Sequence, residues 1–200
     1  MESGTERAWS LIEEKGPEEI CRGTGVEYDL ENGCYGLYSL GMRFRVCPGL
    51  RTIKGETEEA QALYERLELY FDHSALWYLA ESRGAGRTGR LIKPSDLKGG
   101  HHFFTRGTHV LPLDDLAGRY ARDTGAFLEK AASLGGVERD FGDAAVELLP
   151  LPLLPVVIAL WRADDEFPAR AGLFLDSSAE YHAPLDALWA ASMYALRSMM

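Results

Sequence analysis

Cysteine is scarce in this chain: there are three, Cys21, Cys34 and Cys47, evenly spaced and without a C-x-x-C pair. An odd count with no close pair argues against a secreted disulfide framework and against the paired spacing of zinc or cluster sites. The three read as reduced, buried or half-buried thiols in a reducing compartment. Long apolar runs are missing too. The longest, Leu148 to Trp161, is broken by Pro150, Pro152 and Pro155 and is too short to cross ~30 Å of hydrocarbon, so it reads as core and no membrane partner is expected. Positive charge is in deficit, with 21 Lys and Arg against 31 Asp and Glu and a net charge of −10. Such a surface repels polyanions, which excludes non-specific nucleic-acid binding. The opening residues Met1 to Glu6 hold neither a basic stretch nor an apolar one, so no secretory signal is expected and a cytoplasmic location follows. Internal repeats, low-complexity tracts and linkers are absent.

What is present is ordinary globular material. With 200 residues, 46% of them hydrophobic and 26% charged, the chain can bury one real core, so residues 1–200 read as a single domain. Glu6 to Cys21 has helical spacing, with Pro17 placed to open a second short helix. Val26–Leu30, the turn signal Asn32-Gly33, Cys34–Tyr38, Gly41 and Met42–Val46 read as a β-meander, with Met42, Phe44 and Val46 on one face and the arginines outward. From Glu58 to Glu81 the period changes to that of a helix, with a stripe of Ala60, Leu63, Leu67, Tyr70, Ser74 and Trp77; Asp72-His73-Ser74 is the expected place for a bend. This aromatic stripe reads as core rather than as a cavity lining, and His73 as a local polar contact.

Asp114-Asp115 opens a further helical stretch that Gly125 divides and Gly135-Gly136 stops. Ala144–Leu148 reads as a strand, and Val156–Trp161 and Leu173–Leu175 as a hairpin about the acidic turn Asp164-Asp165-Glu166. Leu185 to Met200 is an amphipathic helix, read first as core packing and alternatively as the interface of a homo-oligomer. The architecture expected is α+β, with one antiparallel sheet, built from the meander and the later hairpin, covered by the Glu58–Glu81 and C-terminal helices.

One segment departs from the acidic background. Arg83 to His109 carries six Lys or Arg against a single acid, Asp96, and three of the five histidines. Gly84-Ala85-Gly86-Arg87-Thr88-Gly89 matches G-x-G-x-x-G, but a helix precedes it and a short strand, Leu91-Ile92, follows, the reverse of a dinucleotide fingerprint; Arg90-Leu91 also excludes a P-loop. It reads as a flexible helix-to-strand loop. Lys98-Gly99-Gly100-His101-His102, with Arg106 and His109, offers cationic and imidazole donors beside glycines that let backbone N–H groups approach a carboxylate or phosphate. These seven residues are the candidate ligand-binding set. If the stretch is extended, His101 and His102 face opposite ways.

An enzyme reading takes His102 or His109 as general base, with Asp165 and Glu166 as the carboxylates. Consecutive acids on a turn more often splay into water. No HExxH, close Cys/His pair or calcium loop is present, so no metal or other cofactor is assigned. Asp176-Ser177-Ser178 reads as a turn in which side-chain oxygens cap backbone N–H groups, and no G-x-S-x-G elbow surrounds either serine.

The order of several blocks resembles an uncharacterised prokaryotic family known only as a domain of unknown function: Glu18–Cys21 into Gly25–Asp29, Gly99-Gly100 with Phe103-Phe104, Leu134–Gly136, Gly142–Ala144, Leu160-Trp161 through Asp165–Pro168 to Phe174, and Asp176–Ala179. The resemblance covers nearly the whole chain and places it mainly among anaerobic bacteria and archaea. It implies an accessory role to iron–sulfur or corrinoid proteins, because some members are joined to a cysteine-rich cluster-binding domain. Cys21, Cys34 and Cys47 form no cluster-ligand run, so any cluster would belong to a partner. The family supplies no catalytic residues. The functional expectation is a cytoplasmic accessory or binding module whose basic segment meets an anionic small molecule or an acidic partner surface.

Overall fold

The computed structural model describes residues 4–200. Met1–Ser3, part of the stretch read for a secretory signal, lies outside the described residues. The fold is α+β, as expected, but its strands form two antiparallel sheets rather than one. The first is a meander of β1 (Glu27–Asp29), β2 (Cys34–Ser39), β3 (Met42–Cys47) and β4 (Thr52–Gly55). The turn read at Asn32-Gly33 is a four-residue loop instead of a two-residue one. The Asp29 carboxylate accepts from the backbone N–H of Glu31 and Asn32 and from the Asn32 amide, which organises the longer loop.

The tight turn is at Leu40-Gly41, where both residues have positive φ, the geometry that matches strand twist in a two-residue hairpin. Leucine rarely adopts this conformation. Here Leu40 is fully buried and its N–H donates to the Leu149 carbonyl at 2.8 Å, so core burial and a link to the second sheet offset the strain. The same turn fixes the register of β2 against β3, pairing Tyr35 with Val46 and setting Cys34 opposite Cys47. These two form a disulfide, with Cα atoms 4.2 Å apart. The expectation of three reduced thiols is thereby corrected: Cys21 alone is free, and cysteine usage gives no support to a reducing compartment.

The second sheet has the order β5-β9-β8-β7-β6, comprising β5 (Leu91–Ile92), β6 (Val137–Arg139), β7 (Ala144–Leu151), β8 (Leu154–Trp161) and β9 (Arg170–Asp176). The proline-interrupted apolar run is the buried β7–β8 hairpin. Helices α1 (Gly4–Glu14) and α2 (Pro17–Thr24) lead into the meander. Helix α3 (Glu58–Glu81) starts at a Thr57 cap, as its periodicity predicts, but bends at Leu67 (φ −126°, ψ 18°) rather than at Asp72–Ser74. Helices α4 (Gly100–Thr105), α5 (Leu113–Tyr120) and α6 (Thr124–Ser133) follow; Asp123 caps α6, so Gly125 lies inside that helix and does not divide the pair.

Helix α7 (Leu185–Met199) packs along α3, and one hydrophobic core runs through both sheets and these two helices. Its alanines and serines are buried as well as its large residues, with Ser192 and Ser198 hydroxyls donating to the carbonyls one turn back. A helix buried almost all round is the core packing first read for it. No described helix is long and apolar enough to cross a membrane.

Candidate functional site

The basic segment does not form one ligand surface. Its glycine loop is pinned instead of flexible. The buried Asp176 carboxylate accepts from the backbone N–H of Thr88 and Gly89, from the Thr88 hydroxyl, and from both the N–H and hydroxyl of Ser178. Burial opposes the charge, but the Ser178 and Thr88 hydrogen bonds hold this carboxyl well below the ordinary aspartate range. Two of the N–H donors that a glycine motif would offer a pyrophosphate, those of Thr88 and Gly89, are thus spent on the protein's own anion. The Asp176–Ser178 cap expected from sequence is present, and it reaches much further than a local turn.

Lys98 to His102 is not an extended strand. Gly99, at φ +79°, turns the chain into α4, and the Gly100 N–H already donates to Leu97. A Cβ at Gly100 would stand 2.2 Å from the Pro94 carbonyl oxygen, so this glycine serves backbone packing and is not open for ligand approach. His101, His102 and Arg106 are exposed around α4. Lys98 lies beside Arg83 in a hollow of about 330 Å³ over Tyr181, Pro184 and Leu185, and its backbone N–H donates to Glu180. Asp165 and Glu166 stand exposed on the β8–β9 turn, where Asp164 accepts from the N–H groups of Glu166 and Phe167. They lie outside every cavity described below, so the proposed partnership of His109 with these acids is not assembled.

His109 is placed differently. The short turn Gly107–His109 lays its ring on Phe103, at 4.1 Å and 23° between planes, and edge-on to Trp189 at 5.0 Å. Tyr70 continues the row, meeting Trp189 at 5.7 Å. His109, Trp189 and Tyr70 wall a cavity of about 480 Å³ between α3, α7 and the start of α1, with Phe103 behind the His109 ring. The helical period makes it possible: residues 69–73 pass under the first turn of α7, bringing His73 and Asp186 together across the helix pair. His73 Nε2 lies 3.0 Å from Asp186 Oδ2. That bond to His73 is the main reason the Asp186 carboxyl sits below the ordinary range, against the effect of burial.

Asp72, next in the chain to His73, also lines the cavity. Burial pushes its carboxyl up to about 6, with the Tyr64 hydroxyl resisting the shift and the Glu68 charge adding to it. Its Oδ1 is shut off from solvent and has no hydrogen-bond partner, and the same holds for the indole Nε1 of Trp189. Among the described residues no three His, Cys, Asp or Glu side chains converge as a metal-binding group. Chemically, the site offers an imidazole oriented by a carboxylate, a second carboxyl that titrates within reach of neutral pH, and flat aromatic walls.

Of the sequence candidates, only His109 reaches this cavity. Asp72, His73, Asp186, Glu68 and Trp189 were missed as site residues. The one local signal was a polar pair, Asp72-His73, in an otherwise apolar stretch of α3; Asp186 was indistinguishable from an ordinary acid in the first turn of a helix.

A family described as "Domain of unknown function (DUF3786)" matches residues 16–198. No curated protein and no solved structure matches the chain.

Proposed function

We propose, from the premise that the chain belongs to the DUF3786 family of domains of unknown function, that it is a binding domain for a small organic molecule, held in the cavity between α3 and α7. One observation carries this reading. Tyr70, Trp189 and His109 line that cavity beside the His73 imidazole, which lies 3.0 Å from the Asp186 carboxylate, so flat apolar walls and an oriented polar group face one opening. The volume falls in the range of small-molecule sites. The test is a chemically broad panel of small organic molecules, followed by the ring-proton NMR signals of His73 and His109 and repeated in Trp189→Ala, which removes that aromatic wall. The expected result is a subset of compounds that moves both histidines and binds the variant more weakly. A panel in which none moves either signal refutes the reading.

The enzyme alternative moves with the site: a general base here would be His73, oriented by Asp186, rather than His102 or His109 with Asp165 and Glu166. A second reading retains the anion expectation at Lys98. It is supported by Arg83 and Lys98 lining one hollow, which Glu180 also lines; neither cation has an ion-pair partner among the described residues. Weaker binding of a carboxylate or phosphate ester in Lys98→Ala, with no movement of His73, is the signature of this second site. Gly99, Gly100, His101, His102 and Arg106 follow Lys98 on the turn and helix α4 and do not line that hollow. In an accessory role to an iron–sulfur or corrinoid protein, the partner would bring the cluster or corrinoid.

A further inference from the structure

We infer that the outer edge of β9 is a docking site for an extended peptide, one that adds a strand beside β9 and presents an acidic side chain to Lys93. This surface shares no lining residue with the α3–α7 cavity, and the inference does not rest on the reading of that cavity. In the sheet β9 lies between β8 and β5, but β8 pairs with it all along Arg170–Leu175 while β5 reaches only Leu175 and Asp176. The reason is local. Pro94, two residues after Ile92, has no N–H to give a neighbouring strand and opens the turn Pro94–Asp96, which carries the chain off the edge.

The register identifies the groups left over. Ser177 N–H donates to the Arg90 carbonyl at 2.9 Å, so Ser177, Leu175 and, by alternation, Leu173 and Ala171 turn their main-chain groups toward the β5 side. Among the described residues, no strand, turn or loop main chain pairs with the N–H and C=O groups of Ala171 and Leu173 on that side. The edge there forms one wall of a groove of about 300 Å³, closed opposite by the turn after β5, the end of α4 and the residues leading into α5. Phe104, Val110, Leu111, Leu113 and Phe174 make the groove mainly apolar. Lys93 is the one charged residue lining it and has no ion-pair partner among the described residues. Alternating donors and acceptors along a strand edge are matched group for group by another extended chain. The apolar walls take the alternate side chains of that chain, and Lys93, at the end where β5 departs, selects an acidic residue there.

The experiment uses the full chain, isotope-labelled for amide NMR, and acetylated pentapeptides in which Glu, Gln or Lys is followed by residues drawn from Val, Ile, Leu and Phe. Binding is read from the amide signals of Ala171 and Leu173, with the His73 ring protons as a control that should stay still. A subset beginning with Glu should shift both amides and bind about threefold tighter than its Gln counterparts, an advantage lost in Lys93→Ala. N-methylation of alternate peptide residues should weaken binding about tenfold in one frame, where main-chain bonds to β9 are lost, and little in the other. Ala171→Pro removes one edge donor on the side away from β8 and should weaken binding as well, with thermal unfolding checking that the fold is kept. If that variant does not fold, the methylation comparison in the parent decides. No shift of the two amides with any peptide, whether or not His73 moves, overturns the inference. Equal sensitivity to methylation in the two frames does the same, as does a preference for Glu that survives Lys93→Ala. A concentration-dependent dimer in light scattering that Ala171→Pro abolishes puts a second copy on this edge and overturns the peptide assignment.

Discussion

Replacing Asp72 by asparagine should make the protein more stable above pH 6. The carboxyl titrates at about 6 in the fold against an ordinary 3.8, with burial as the leading cause. Between those two values the folded chain binds more proton than the unfolded one, so this group's contribution to stability falls as pH rises through the window and is a net cost above it. At ~1.4 kcal/mol per pH unit the gap corresponds to roughly 3 kcal/mol, and water reaching the half-buried side chain screens this to ~1–2 kcal/mol. Asparagine carries no charge to desolvate and keeps an oxygen toward Tyr64. Thermal unfolding followed by circular dichroism should show Asp72→Asn melting roughly 3–6 °C above the parent near pH 8, from ~2–4 °C per kcal/mol for a chain of this size. Near pH 3.5, where the parent carboxyl is protonated in both states, the difference should vanish. A variant no more stable than the parent near pH 8, or a difference that persists at pH 3.5, would refute the reasoning.

Asp176→Ala strips five hydrogen bonds from one buried carboxylate and should cost ~3–5 kcal/mol in urea unfolding, with tryptic cleavage after Arg87 and Arg90 becoming fast. Because the folded pKa of Asp176 lies below its ordinary value, the parent should hold this stability above about pH 4 and lose it as pH falls further. Thiol titration of the chain unfolded without reductant should find one thiol, that of Cys21, and the double variant Cys34→Ser, Cys47→Ser should unfold at lower denaturant by ~2–3 kcal/mol, the loop-closure scale for a separation of 13 residues; three thiols would contradict the pairing. Gly100→Ala forces a Cβ onto the Pro94 carbonyl and should lose ~2 kcal/mol or more, whereas Gly86→Ala, which meets nothing within 4 Å, should be neutral or slightly stabilising in the same assay.

Much of the fold was legible because local patterns and tertiary demands agree. The apolar period of α3 marks its limits, since a helix that long must bury a stripe, and the alternation in β3 marks its inner face. The disulfide was legible in principle as well: a two-residue turn at Leu40-Gly41 sets Cys34 and Cys47 opposite, but Asn32-Gly33 looked like the stronger turn and drew attention from it. The kink at Leu67 left no mark, because leucine in the middle of an apolar stripe is what a straight helix also has. The two-sheet arrangement was hidden for a similar reason. Strand patterns identify which face is buried and say little about which strands share a sheet.

The sequence by itself determined the long helices and the principal strands, the acidic character of the chain and the basic segment as its anomaly, because these depend on near neighbours and on composition. Only the tertiary structure decided what that segment does. Asp176, far along the chain from Thr88 and Gly89, takes up the glycine-loop donors that looked available to a ligand. His73 and Asp186 lie 113 residues apart and meet only because α3 and α7 pack side by side. A binding site is a matter of convergence in space, and spacing along the chain carries that information only when a motif is local.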